Sequence, residues 1–318
     1  MKNQVQSNAL KIIYFGTSDF AVTAFRLLVQ NGYNIIAVVT QPEKPIGRAK
    51  MVVPGPVKKI ATENNIPVFE PHNLKNDEEF LKHFKSLNPD ICIVAAYGKI
   101  IPSQILEMPR FGFLNIHPSL LPKYRGPSPI QTSIMNGDEE TGVTIMKLDE
   151  GMDHGPVLAI TNYRLPITKT YKEAEEELAY EGAKLLLEAI PKYIAGEIEL
   201  REQEHSEATL TKLLDRKDGK IDWKKSAGEI YNKIRALNPE PGTWTIWREK
   251  ILNIKFGEVL SREATETPGT IVSVDNQIAV ATSKCYLVLK QIQLEGRKEM
   301  DVKAFLNGHP DFPGSALE

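Results

Sequence analysis

Hydrophobic positions in the first 200 residues fall into short continuous runs separated by stretches of helical spacing. Residues 10–15 (LKIIYF) form an apolar run that stops at Gly16, and residues 33–40 (YNIIAVVT) form a second. Between them, residues 20–30 place Phe20, Ala24, Leu27 and Leu28 three and four apart, which keeps one helical face apolar. Residues 58–64 and 77–86 predict two more helices, and 67–69 a short strand. Residues 90–96 (DICIVAA) are almost wholly apolar, as a strand covered on both faces requires. Residues 113–117 and 143–147 predict further strands. Strand, helix, strand in repetition specifies right-handed βαβ units and a mostly parallel, Rossmann-like sheet, an α/β fold. A long helix over 170–190 closes this region, with Pro191 expected to end it.

The texture then changes. Residues 194–211 are polar and rich in glutamate (Glu197, Glu199, Glu202, Glu204, Glu207), which reads as a linker. A helix over 226–236 follows. From 243 to 290 the pattern turns to period two, at 244–246, 254–256, 270–272, 278–281 and 286–289. Pro241-Gly242, Pro268-Gly269 and Asp275-Asn276 supply the turns. This predicts a smaller β-rich domain, an OB-like barrel. The expected organisation is a catalytic domain at 1–195, a linker at 196–212 and a β-barrel at 213–318.

Composition narrows the function classes. A chain of 318 residues with 42% hydrophobic and 25% charged positions can bury a sizeable core over two domains. A net charge of −2 excludes a chain that coats nucleic acid, although not a local basic patch. Residues 211–318 carry a slight basic surplus, too small to argue from. Cys92 and Cys285 are far apart, so both are expected to be reduced and buried, which points to the cytoplasm. The polar start MKNQVQSNAL lacks a signal-peptide run, and no stretch approaches the roughly 20 apolar residues of a membrane span. With no CxxC or HExxH, no metal site is expected.

Three segments carry candidate chemistry. Gly16-Thr17-Ser18-Asp19-Phe20 stands at a strand-to-helix turn, a position that can hold a phosphate. It is not G-x-G-x-x-G, and a turn capped by Ser18 or Asp19 accounts for it equally. Asn115 and His117 stand two apart at a strand end, so their side chains share a face. Strand C-termini are where parallel α/β sheets place their sites. Pro118, Pro122, Pro127 and Pro129 stiffen the loop that follows. An amide and an imidazole aimed at one point suit a developing oxyanion, although an isolated N-x-H is more often a capped turn. Asp153, between Gly151 and Gly155, can be presented from the next strand's loop to pair with His117 and take a proton from an amine. That trio fits acyl transfer to an amine without a covalent enzyme intermediate. A rival reading makes Ser119 a nucleophile beside His117, but the G-x-S-x-G context is missing.

The segments NIHPSLLPKYRGPSPIQ (115–131) and ETGVTIMKLDEGMDHGPVL (140–158) resemble the folate-dependent formyltransferases. From IIYFGTSDF at residue 12 through the C-terminal domain, the chain looks like the branch that formylates methionyl-tRNA. The resemblance implies Asn115, His117 and Asp153 as the catalytic trio. It implies Ser119, Leu120, Leu121 and Pro122, with Tyr97, Gly98 and Ile100, around 10-formyltetrahydrofolate. Glycinamide ribonucleotide, sugar and hydrolase relatives share the trio. What separates this chain from them is the Pro/Gly-rich basic insertion TQPEKPIGRAK (40–50). Its Lys44, Arg48 and Lys50 match the loop that enters the acceptor stem in the tRNA enzymes, and the C-terminal barrel would bind tRNA as well. Lys58 and Lys59 extend the basic cluster, although a solvated surface loop would look the same by itself. The partners implied are initiator methionyl-tRNA and folate. A monomer without metal or membrane is expected.

Overall fold

The computed structural model describes residues 10–43 and 53–318. They divide into two compact units. One comprises residues up to Pro129, Glu140–Arg164 and Glu175–Thr211; the other comprises Ile130–Glu139, Leu165–Ala174 and Lys212–Glu318.

The first unit is built on a sheet of β1 (Ile12–Gly16), β2 (Ile35–Val39), β3 (Val68–Phe69), β4 (Ile91–Ala95), β5 (Phe113–His117), β6 (Glu140–Lys147) and β7 (Val157–Arg164). The strand order is β3-β2-β1-β4-β5-β6-β7. Neighbours are parallel from β3 to β5, while β6 runs antiparallel to β5 and β7 antiparallel to β6. β1, β4 and β5 are buried at every position, as their unbroken apolar runs require. The chain reverses its direction of travel across the sheet between β1 and β4. Beyond the strand C-termini at such a switch point is where open α/β sheets place their ligand crevice.

β7 escapes the sequence pattern because its outer half alternates between half-buried and exposed positions, as an edge strand does. The helix after it, Tyr171–Ile194, continues through Pro191 rather than ending there. Pro191 stands in the last turn, where its missing N–H costs one intrahelical bond. Its carbonyl still accepts from the Ala195 N–H at 3.1 Å. The same helix lies tight against the site strand. A Cβ on Gly182 would stand 2.7 Å from Ile116 Cγ2 and 3.0 Å from Val143 Cγ1.

Residues 196–212, which the sequence suggests as a linker, lie on the first unit as far as Thr211. Arg201 exchanges backbone hydrogen bonds of 3.0 and 2.8 Å with Val157. Gln203 is buried. A polar segment is ordered here because its polar groups find partners.

The second unit holds β8 (Thr243–Trp247), β9 (Lys250–Leu260), β10 (Ile271–Val274), β11 (Gln277–Ala281), β12 (Tyr286–Leu294) and β13 (Met300–Asp301). All pairings are antiparallel, in the order β10-β11-β12-β9-β8 with β13 on β12. Arg248-Glu249 and Asp275-Asn276 make two-residue turns at positive φ (49° and 61°, then 49° and 58°), which match the strand twist. The C-terminal residues bridge the two edge strands. Leu317 N donates to Gly269 O at 2.9 Å, and Glu318 N donates to Ile246 O at 3.0 Å. Arg235, buried on the Ala227–Leu237 helix, donates to Ile134 O at 3.2 Å and Lys169 O at 2.9 Å. These bonds tie the two short upstream segments into this unit.

Ser226 caps that helix. Its hydroxyl accepts from Glu229 N, and Glu229 Oε2 accepts from Ser226 N at 3.0 Å and Oγ at 2.7 Å. The Ser226 N–H, then its hydroxyl, then Lys225 hold the Glu229 carboxyl down to about 2. Ser226→Ala is expected to cost about 1 kcal/mol, read as a lower thermal midpoint at pH 7. A depressed carboxyl stabilises fully above its ordinary 4.5 and loses the effect as pH falls toward about 2. The gap between the two proteins should therefore narrow across that window.

Candidate active site

β5 is buried on both faces, so its last residues carry Asn115 and His117 into the crevice with little solvent around them; they are 9% and 4% exposed. The loop after β5 is pinned to β6. Thr144 Oγ1, opposite His117 in register, donates to Ser119 O at 2.7 Å and accepts from Leu121 N at 3.2 Å. Ser119 is fully buried, and its hydroxyl donates to Lys123 O at 2.6 Å. Its single proton is committed to the loop, so the nucleophile reading of Ser119 falls away. Leu121 is buried, while Leu120 and Pro122 are half-buried.

Asp153 arrives from the loop between β6 and β7 with φ +47°. Its Oδ2 accepts from the Gly126 N–H at 2.8 Å. Its Oδ1 accepts from Asn115 Nδ2 at 3.3 Å and stands 3.5 Å from His117 Nδ1. The trio chosen from sequence thus meets at one carboxylate. His117 Nε2 lies 3.0 Å from Tyr124 O. A carbonyl only accepts, so Nε2 bears a hydrogen by this assignment from partners. Nδ1 faces a carboxylate, and both Asp153 oxygens already face N–H donors. Asn115 has a second amide hydrogen to offer a ligand oxygen.

The turn carrying Asp153 is tightly built. A Cβ on Gly155 would fall 2.1 Å from Lys147 O, so no other residue fits there. Asp149 accepts from Gly151 N at 2.9 Å and from His154 Nδ1 at 2.6 Å. Asp149 therefore shapes the turn.

The residues expected around a folate divide. The Tyr97 ring packs edge-on against Phe15 at 5.3 Å in the core, and burial pushes its hydroxyl pKa up. Its side chain is core, and only its backbone borders the crevice. There Tyr97 O accepts from Gln41 Nε2 at 2.7 Å and from Thr17 Oγ1 at 3.2 Å. Gly98 follows at φ +75°, and Ile100 is 82% exposed. Cys92 is buried in β4, whereas Cys285 is only half-buried at φ +68°.

Lys44, Arg48 and Lys50 lie outside the described residues. Lys58 does not behave as a free cation of that cluster. Its ammonium is held by Glu43 at 2.5 Å and Glu70 at 2.7 Å, and these two carboxylates, Glu43 first, raise its pKa. Thr144, Gly126, Arg125 and Gln203 went unnoticed in the sequence. Only Arg125, inside the proline-bracketed loop, left any signal there.

No helix among the described residues is long and apolar enough to cross a membrane. The formyl transferase family matches residues 10–190, and the formyl transferase C-terminal domain matches residues 213–310. The methionyl-tRNA formyltransferase of Chloroflexus aggregans is 44% identical over 301 residues, covering 94% of this chain and 97% of that one. That of Clostridium novyi is 39% identical over 301 residues at the same coverage. Among solved structures, the N-formyltransferase of Helicobacter canadensis, in complex with folinic acid and dTDP-3-aminofucose, superposes with a TM-score of 0.66 at 19% identity. It covers 89% of this chain and 100% of that one. HypX of Aquifex aeolicus, in complex with tetrahydrofolic acid, gives 0.65 at 15% identity, covering 93% of this chain and 46% of that one. At such identities these two speak for the fold.

Proposed function

The chain belongs to the formyl transferase family, and from that membership we propose that it transfers a formyl group from 10-formyltetrahydrofolate to the α-amine of methionyl initiator tRNA. The product is N-formylmethionyl-tRNA for translation initiation. The observation that carries the chemistry is the convergence of Asn115, His117 and Asp153 at one carboxylate. The likeness to methionyl-tRNA formyltransferases over nearly the whole chain favours that acceptor over a small amino-sugar or nucleotide.

The residues present fit a formyl donor. Asn115 and His117 bring N–H groups to a nearly dry site, where hydrogen bonds to a charging oxygen are strong. As the amine adds to the formyl carbon, Asn115 donates its second amide hydrogen to the oxygen that gains charge, and His117 joins it once a ring N–H turns from Tyr124 O toward that oxygen. Asp153 orients His117 and accepts the proton released by the amine. Collapse then breaks the bond from the formyl carbon to N10, which takes that proton back from Asp153 and leaves as tetrahydrofolate, giving the formamide. Residues 119–122, with the backbone at Tyr97 and Gly98 and the exposed Ile100, are proposed to border the folate. No step calls for a metal, and the setting proposed is a monomer in the cytoplasm. Incubation with 10-formyltetrahydrofolate and methionyl-tRNA tests the reading. Formylation of a small amine with none of methionyl-tRNA would overturn it.

Lys44, Arg48 and Lys50 are proposed to meet the acceptor end of the tRNA. Arg48→Ala should impair formylation of methionyl-tRNA while folate binding is unchanged. Guanidinium suits both phosphate and base edges. A base-directed contact erodes discrimination between initiator and elongator tRNA, whereas a phosphate contact weakens all tRNAs alike and lowers the salt dependence. The first outcome is expected, because the sequence sets Arg48 beside Pro45 and Gly47 rather than in a plain run of cations. Steady-state kinetics on both tRNAs at two salt concentrations decide between them. Unchanged kinetics would remove the loop from the tRNA site.

A further inference from the structure

We propose that Gln203, held by Arg125, is a positioning residue that fixes the backbone of Asp153 and so aims its carboxylate at His117. The proposal rests on the reading of Asp153 as the proton acceptor in formyl transfer.

Gln203 is 7% exposed, and every polar atom of its amide is used. Nε2 donates to Asp153 O at 2.9 Å and to Gly155 O at 2.7 Å, one bond for each of its hydrogens. Oε1 accepts from Arg125 Nε at 3.1 Å and Nη2 at 2.8 Å. Arg125 is buried as well, and its own backbone is paired with Thr209 O at 2.9 Å and Thr211 N at 2.7 Å. Arg125 Nη2 also stands 2.8 Å from His205 Nδ1, which must accept because guanidinium only donates. His205 stacks on His154 at 4.0 Å between ring centres, and His154 is bonded to Asp149. The turn from Asp149 to Gly155 is thus gripped on its backbone by Gln203 and on its flank through His154.

The grip has a purpose. Asp153 sits at φ +47°, a conformation that L residues with side chains avoid and that surroundings must impose. Gln203 clamps the carbonyls at and just after that residue. With no hydrogen-bonding capacity left over, it acts through Asp153 and not on a substrate.

Gln203→Glu separates the two arms. A carboxylate still accepts from Arg125 but opposes both carbonyls. The expected result is a kcat lower by roughly ten- to hundredfold, the cost of misplacing a reacting group. KM for folate and tRNA should stay within about threefold. In an Asp153→Asn background the same substitution should change kcat by less than about threefold, because residues acting as a unit are not additive. Glu202→Ala, exposed beside it, should match the wild type. Equal losses in both backgrounds, or a folded Gln203→Glu protein with near-wild-type kcat, overturn the proposal. If that variant does not fold, Arg125→Lys, which keeps the charge and gives up the paired donors, carries the same cycle. A crystal structure of the substituted protein reads the effect without any acceptor. The bond from Gly126 N to Asp153 Oδ2 should be lost, and its retention with φ still positive overturns the idea. A wild type inactive on methionyl-tRNA would sink the functional reading and leave this structural comparison to decide the positioning.

Discussion

Asp153→Asn should lower kcat by 10²–10⁴-fold, the range expected for loss of a general base, while the protein stays folded. The amide keeps the shape of the carboxylate but cannot accept the amine proton. It also has one acceptor where the site presents donors on two sides. Gly126 N approaches one oxygen, and Asn115 Nδ2 with His117 Nδ1 approaches the other. Whichever way the amide turns, an NH₂ group faces an N–H. His117 Nδ1 then loses the carboxylate that orients it, so both the proton acceptor and the orienting group disappear together. Single-turnover kinetics with circular dichroism as the folding control measure this. Retention of more than roughly a tenth of wild-type kcat would contradict a role of that size.

Asn115→Ala should act on kcat far more than on folate affinity. An oxyanion donor serves the transition state, and removing one costs ~3 kcal/mol, or about 10²–10³-fold. The backbone of Asn115 is locked between Val94 on β4 and Met146 on β6, so the strand should survive the truncation. Asp153 Oδ1 would lose its amide donor. The opposite split, folate affinity lost with kcat intact, would make Asn115 a ligand contact.

Much of the scaffold can be read from local pattern. Continuous apolar runs at β1, β4 and β5 announce strands covered on both faces, and the period-two stretches announce the antiparallel second sheet. Strand geometry puts Asn115 and His117 on one face and Gly151 and Gly155 bracket Asp153, but the motif resemblance was needed to single the three out as a trio. β7 was less visible because its outer half is edge-like. Pro191 misled because a proline gives up its own N–H bond to the preceding turn while its carbonyl can still accept, as it does from Ala195 N.

Local pattern, then, determined most of the strands and helices, while the motif resemblance singled out the three side chains of the candidate chemistry. Strands and helices depend on neighbours a few positions apart. Only the tertiary structure decided that Ser119 spends its proton inside its own loop and Tyr97 its ring in the core. It alone brought Gln203, 50 residues beyond Asp153 in a stretch that looks like a linker, onto the carbonyls of the turn that carries Asp153. The physical reason is that hydrogen-bond satisfaction of a buried polar group is settled by the distant groups that the fold delivers to it. A polar residue in a polar segment looks the same in sequence whether it is solvated or holding a catalytic turn.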